Sequence, residues 1–479
     1  MPTVPSLIII CLVLYWLGVL IFIVSEDREP TTTLLWLIFI IVLPVFGLVF
    51  YFFFGRDWPA LARRHKRYAE FRALVNEALP PVYERHSDMR QALRKRYDGS
   101  FVNRIIHSIE KENGVKPLPV RDITIYPSGA EKFAALKKDL ASAKKFIHLQ
   151  YFIWEHDKLT GEITEILLDR LNNGVEVRIM YDFAGSLSYK KDEIKKLGRA
   201  GADYSPDIRN VNKINYRNHR KIVIIDGDIG YTGGMNMGQE YIDGKPKYDS
   251  WRDTHLRITG QGVADLQRLF AARWYDDRRE SLLDERYLPA PEENSGDATM
   301  IQVVSQGVED WWESARRTHG IAISGATNRV WLQSPYFVPD HSTYDAMIGA
   351  ALSGVDTRLM MTGVPDNKTA WCAAHSYWPR FLEAGGRVFL YEAGFFHAKT
   401  LVVDSQVCSI GTMNLDIRSL RLHKENMVWI YDEDLAKAQE NIFIKDLQEC
   451  REVTLEELMS ASALKRFTYS ACRLASNLL

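Results

Sequence analysis

Cysteine is scarce: Cys11, Cys372, Cys408, Cys450 and Cys472 are the five in 479 residues, an odd and widely spaced set. They form no CxxC pair and no Cys/His spacing suited to zinc, so neither a disulfide framework nor a structural metal is encoded and a reducing compartment fits. A surplus of either charge is missing too. The 60 Lys+Arg against 61 Asp+Glu leave a formal net charge of −1, without the basic excess typical of nucleic-acid binding. Apolar residues are plentiful: 46% hydrophobic and 11% aromatic content excludes disorder and collagen-like repetition and leaves a large globular protein. Charge of any kind is nearly absent from residues 1–55, where only Glu26, Asp27, Arg28 and Glu29 carry it.

That gap in charge frames two apolar runs, residues 6–24 and 33–54, of 19 and 22 residues. At about 1.5 Å per residue, either can cross a hydrocarbon core about 30 Å thick. The reading is a two-helix transmembrane hairpin over residues 1–55, with Pro44 and Gly47 as points of bending in the second helix. A cleaved signal peptide fits less well, because residues 1–5 carry no Lys or Arg and no small-residue cleavage site precedes the second run. The connector is acidic, and Arg56, Arg63, Arg64, Lys66 and Arg67 follow the second run. Positive flanks stay inside, so the body is expected in the cytoplasm, next to anionic membrane.

The body, with 59 basic and 58 acidic side chains, opens on a helical juxtamembrane linker over residues 56–116, broken at Pro80 and Pro81 and closed by Asn113 and Gly114. Strand and helix then alternate, as in α/β folds. Residues 147–154 read as a strand, 160–172 as an amphipathic helix, and 174–182 as a second strand after a glycine stop. Similar text returns at 330–339, 342–352 and 354–363, with Gly174 and Gly354 180 residues apart. That period is too long for a solenoid. Two similar domains are expected, 117–290 and 291–479.

Each repeat carries the same small constellation. In the first, His219, Lys221 and Asp226 precede Gly233, Gly234 and Asn236; in the second, His397, Lys399 and Asp404 precede Gly411 and Asn414. One HxKxxxxD is a weak signal, since unrelated strands supply it by chance. Two copies 178 residues apart, each with Gly and Asn downstream, are a strong one. His and Lys two apart on a β-branched run project from one face of a strand. Two such pairs brought together make a cluster of imidazoles and ammonium groups matched to an anionic phosphodiester.

These residues resemble the duplicated His-Lys-Asp motif of the phospholipase D superfamily. Further stretches, 251–260, 332–340 and 411–419, together with the amino-terminal hairpin, are similar to the bacterial cardiolipin synthases within it. Two departures stand out: Gly234 occupies a position often held by Ser, there a donor to phosphate oxygen, and LHKEN at 422–426 replaces the usual text before the last strand. The resemblance implies two α/β sandwich domains with the active site between them, and no metal or other cofactor. It implies a membrane phosphatidyltransferase, with phosphatidylglycerol as donor and acceptor, acting through a phosphatidyl-histidine at the inner membrane of a bacterium.

Within that mechanism attack is assigned to His219 and acid/base work to His397, the reverse remaining open because the motifs are nearly symmetric. Lys221, Lys399, Asn236 and Asn414 are the candidates for holding phosphate oxygens. Asp253 and Glu425, close after the two motifs, are candidates for orienting the histidines, with surface ion pairs as the competing role. Asp226 and Asp404 are expected to fix loops and lysines. His148, His255 and His423 read as structural, and Trp311 and Trp312 as helix packing. The segment from Thr454 opens on a capping box to Glu457 and carries Leu464, Phe467, Ala471, Leu474 and Leu478 at helical spacing, suited either to the bilayer surface or to docking on the body. Competing activities are a phospholipase D or phosphatidyltransferase using another acceptor, a membrane-anchored nuclease, and an inactive scaffold. An oligomer is compatible with all of these.

Overall fold

The computed structural model describes residues 4–26, 30–55, 66–188, 191–207, 217–291, 298–307, 310 and 312–474. It divides into a small unit within residues 1–64 and a large body from residue 65 onward. The basic cluster at 56–67, the polar stretch at 292–297, Trp311 and Leu478 fall wholly or in their side chains outside the described residues.

In the small unit the first run forms one helix, Val4–Val24. The second does not form the single helix expected over 33–54. It breaks into Pro30–Val42 and Pro44–Phe50, followed by a π-helical turn, Tyr51–Gly55. Pro44 cannot continue the helical hydrogen bonding, and Leu43 before it leaves the helical region at φ −130°. The chain then folds back so tightly that a Cβ on Gly47 would lie 2.8 Å from the Ile40 Cα. Among the described residues no helix is long and apolar enough to cross a membrane.

The body is a mixed α/β structure with two large sheets. The first has seven strands in the order Asp122–Tyr126, His255–Thr259, Ile229–Gly233, Ile222–Ile225, Phe146–Tyr151, Glu176–Asp182, Asp203–Asp207. The second has nine, and its inner seven repeat that order: Met300–Gln306, Glu425–Tyr431, Val407–Gly411, Thr400–Val403, Arg329–Gln333, Asp356–Thr362, Arg387–Tyr391. In both, the last three of these strands run parallel and the other neighbouring pairs antiparallel, as the two βαβ readings require. Leu118–Pro119 and Cys450–Glu452 are the added edges of the larger sheet.

Alternation along the strands distributes the core into layers. Ile222, Ile224 and Ile258 from one sheet and Val303, Val402 and Ile430 from the other share an apolar cluster with Phe270 and Trp274 of the helix Val263–Arg278. Ile147, Ile179 and Val223 turn the other way, into a cluster with Leu136, Ile163 and Leu167. The helix Phe101–Asn113 lies in the segment read as a linker. It contributes Val102, Ile105 and Ile109 to a cluster with Ile323 of the helix Ser314–Gly325 and Leu332 of the larger sheet. Near the end of the chain, Thr454 caps the short helix Leu455–Met459 by accepting from Glu457 N–H at 3.2 Å, and a separate helix follows at Ala463–Leu474. Tyr469 of that helix stacks on His375, ring centroids 4.6 Å apart, while Leu464, Phe467 and Leu474 are exposed.

Candidate active site

His219 with Lys221 stands in the extended segment just ahead of the strand Ile222–Ile225, and His397 with Lys399 just ahead of Thr400–Val403. The motif pairs therefore lead into the ladder strands instead of lying within them. Each is pinned by backbone from the other repeat: His219 N–H donates to the Lys424 carbonyl at 2.9 Å, and His397 N–H to the Arg252 carbonyl at 2.7 Å. Phe395–Phe396 also pairs in parallel with Trp251–Arg252.

This exchange crosses the carboxylates over. Glu425, which follows the second motif, places both carboxylate oxygens 3.0 Å from Nδ1 of His219. Asp253, which follows the first, places Oδ2 2.7 Å from Nδ1 of His397. An ionised carboxylate only accepts, so Nδ1 carries a proton in each ring, and Nε2 is the nitrogen that can attack when free or carry a second, transferable proton. The two motifs also share one electrostatic environment, for Lys399 and His397 both act on His219.

All six groups are buried, and burial governs their titration. It pushes His219 well below its ordinary value, with Lys221 and Lys399 adding in the same direction. His397 is lowered by burial and Lys399, against the opposing pull of Asp253. Burial likewise carries Lys221 well below the usual ammonium range and Lys399 down to about 8. The carboxyls differ. Burial pushes Asp253 up, yet Lys399 and His397 outweigh it and hold it below the normal range; for Glu425 burial wins over Lys221 and the value is raised. His397 thus faces the more firmly ionised partner.

Lys221 Nζ donates to the His219 carbonyl at 2.7 Å, and Lys399 Nζ to the His397 carbonyl, with Asp253 Oδ2 3.9 Å away. Asn236 accepts from Ile153 N–H at 3.2 Å and donates to the Tyr241 hydroxyl at 3.1 Å, so much of its amide is engaged in holding loops. Asn414 Oδ1 is buried without a hydrogen-bond partner among the described residues. Asp226 and Asp404 lie at the far ends of the motif strands. Asp226 accepts from the N–H groups of Lys144, Lys145 and Phe146, and Asp404 from those of Thr327, Asn328 and Arg329. They fix loops; the lysines are held elsewhere.

Gly234 finds its reason here. A Cβ at that position would meet the Asp253 carboxylate at 2.0 Å, so the position faces the orienting group and not a phosphate. Its counterpart Thr412 has room for a hydroxyl, which donates to Glu425 at 2.5 Å. Among the other histidines, His148 bonds Gln267 at 3.0 Å, whereas His423 stands with its ring 6.0 Å from that of His219. Sequence reasoning passed over Phe152, 4.7 Å from the His219 ring, and Trp251, 6.5 Å from the His397 ring. One signal for Trp251 was available: it precedes Asp253 by two residues, as His423 precedes Glu425. Among the described residues no three His, Cys, Asp or Glu side chains group as metal ligands. The arrangement can supply a nucleophilic imidazole and a proton-carrying one, with buried lysines beside them to hold an anion.

The family model described as cardiolipin synthase, PLD-like domain, matches residues 136–274 and 321–447, and one described as phospholipase D-nuclease N-terminal matches 8–56. A cardiolipin synthase 2 of Bacillus anthracis is 37% identical over 97% of this chain and 90% of its own. The major cardiolipin synthase of Bacillus subtilis is 34% identical over 96% of both chains. Among solved structures, a phosphatidylserine synthase of Haemophilus influenzae is similar in fold, with a TM-score of 0.58 at 16% identity over 79% of this chain and 100% of that one.

Proposed function

The chain belongs to the cardiolipin synthase family of phospholipase D-like proteins, and on that premise we propose that it condenses two phosphatidylglycerol molecules to cardiolipin and glycerol. The observation that carries the reading is the crossed pair His219–Glu425 and His397–Asp253, with Lys221 and Lys399 buried beside it. His219 Nε2 attacks phosphorus while the bond from phosphorus to the glycerol oxygen breaks, and His397, which enters this step as an imidazolium with a second proton on Nε2 beside the ionised Asp253, gives that oxygen its proton. In the second half-reaction His397 takes the proton from a hydroxyl of another phosphatidylglycerol. That oxygen bonds to phosphorus as the P–N bond to His219 breaks. Lys221, Lys399 and Asn414 hold the non-bridging oxygens throughout. The site lies between two similar domains, and the amino-terminal unit anchors the body on the cytoplasmic side of the bacterial membrane; the uncharged runs and the basic residues after them support this.

The test incubates purified full-length protein with phosphatidylglycerol vesicles and analyses lipids and glycerol by mass. Cardiolipin and glycerol are expected in equal amounts, and both His219→Ala and His397→Ala are expected to abolish them. Phosphatidic acid as the sole product, or near-normal transfer by either variant, overturns the reading. Anchoring is tested separately, by an impermeant thiol reagent on intact cells carrying a single cysteine at Ser25 or at exposed Ser353. Labelling at Ser353 without lysis contradicts the orientation.

A further inference from the structure

The two halves of the site correspond position by position but differ in chemistry. Two residues before each motif histidine stand Arg217 and Phe395, and two before each orienting carboxylate stand His423 and Trp251. On the His219 side these positions are charged or ionisable. Arg217 is ion-paired with Asp182, its guanidinium lies 4.4 Å from the Phe152 ring centroid, and His423 stands beside His219. On the His397 side they are aromatic. The rings of Trp251 and Phe395 are 4.5 Å apart and lie 6.5 and 5.6 Å from the His397 ring. Tyr248 completes this wall, 5.6 Å from Trp251 and 5.3 Å from Phe395.

One polar group in the wall has no partner, and beside it stands a half-exposed cation. Trp251 Nε1 is buried and makes no hydrogen bond among the described residues, an arrangement that is costly unless a ligand supplies an acceptor. Lys245 Nζ sits 5.0 Å from the Trp251 ring centroid and is ion-paired at long range with Glu155 and Glu240, at 3.9 and 3.8 Å. Its side chain is 42% exposed, so these loose pairs leave it accessible to an anionic group arriving from outside.

We propose that this aromatic side of the site is the subsite for the glycerol head group, in which Trp251 Nε1–H donates to a head-group hydroxyl and Lys245 meets the phosphate of the incoming lipid. The assignment rests on the transferase reading above. A glycerol unit offers C–H faces to the rings and a hydroxyl to the indole. Lys245 over the ring disfavours an ammonium head group at the same place. The departing glycerol and the acceptor hydroxyl use the same side because His397 protonates one and deprotonates the other. The acceptor lipid differs from free glycerol in carrying a phosphodiester, and Lys245 is the cation placed to read that difference.

The test measures transfer from phosphatidylglycerol to isotope-labelled glycerol, to ethanol and to a second phosphatidylglycerol in vesicles, and compares product ratios. Trp251→Phe keeps the ring and removes the donor, so its preference for glycerol over ethanol should fall about tenfold, the worth of one hydrogen bond. Lys245→Gln should lower the ratio of cardiolipin to labelled phosphatidylglycerol several-fold, and high salt should shrink the difference from wild type. Wild-type ratios in both variants overturn the subsite. Should Trp251→Phe fail to fold, the exposed Lys245→Gln decides, and an unchanged ratio there overturns the proposal. Failure of the wild-type protein to make cardiolipin at all would instead remove the transferase reading.

Discussion

Asp253 and Glu425 hold equivalent histidines in unlike ways, and the difference separates the two roles. In the proposed mechanism His397 protonates the leaving oxygen, so loss of the Asp253 charge should matter only when the leaving group needs a proton. Asp253→Asn should lower kcat about a hundredfold or more with phosphatidylglycerol, and far less with a nitrophenyl phosphodiester, whose leaving group departs without protonation. Glu425→Gln should impair both substrates alike, because it orients the attacking imidazole. The reverse pattern, read from steady-state rates, would exchange the roles of His219 and His397. Lys399 adds a pH dependence. With a value of about 8, it is cationic below that pH and loses its charge above it, so kcat/KM should fall on the alkaline side with an apparent pKa near 8. A bound phosphodiester favours the ammonium form, so the same limb in kcat should lie higher. Lys399→Arg, if active, should move the kcat/KM limb upward.

At the scale of elements, the Asp of each motif belongs to the turn after its strand. Asp226 and Asp404 adopt φ of 54° and 53°, a region entered at little cost by Asp, Asn and Gly. Each carboxylate there gathers three backbone N–H groups at the start of a neighbouring strand. Asp404→Ala should therefore cost roughly 1–3 kcal/mol in urea unfolding, more than one average hydrogen bond, with Asp404→Asn recovering part of it. A wild-type midpoint for the Ala variant would deny the anchoring role. The apolar run at 33–54 teaches the complementary point. Its composition is that of a membrane helix, but Pro44 ends one helix and begins another, and composition alone does not convey how sharply the chain turns there.

The molecule as a whole carries an acid sensitivity unrelated to catalysis. Burial holds His148 at about 3 and His319 and His375 at about 4, against about 6.5 in an unfolded chain. Below pH 6.5 the unfolded state binds protons that the folded state refuses, so their contribution is intact above 6.5 and drains away as pH falls toward 4. Each can remove about 1.4 kcal/mol per pH unit within that window. Asp310 and Asp416, raised by burial to about 6, act in the opposite sense as pH falls, so the histidine contribution is read by difference: His319→Gln should lose less melting temperature between pH 7 and pH 5 than the wild type. Equal losses in the two proteins would mean that the His319 ring is not neutral in the fold.

The duplicated motif, the α/β alternation and the candidates Asp253 and Glu425 were legible in the chain itself. Spacing and periodicity are one-dimensional properties, and a repeat at 180 residues preserves both. Which carboxylate serves which histidine was not legible. Asp253 is nearer His219 in sequence, yet it bonds His397 of the other repeat, because segments from the two repeats pair with each other. The same pairing decides that Trp251 stands beside the opposite repeat's histidine. Local sequence determined what each segment is; contacts between residues well over a hundred positions apart decided what each segment faces, since only the folded chain brings those surfaces together.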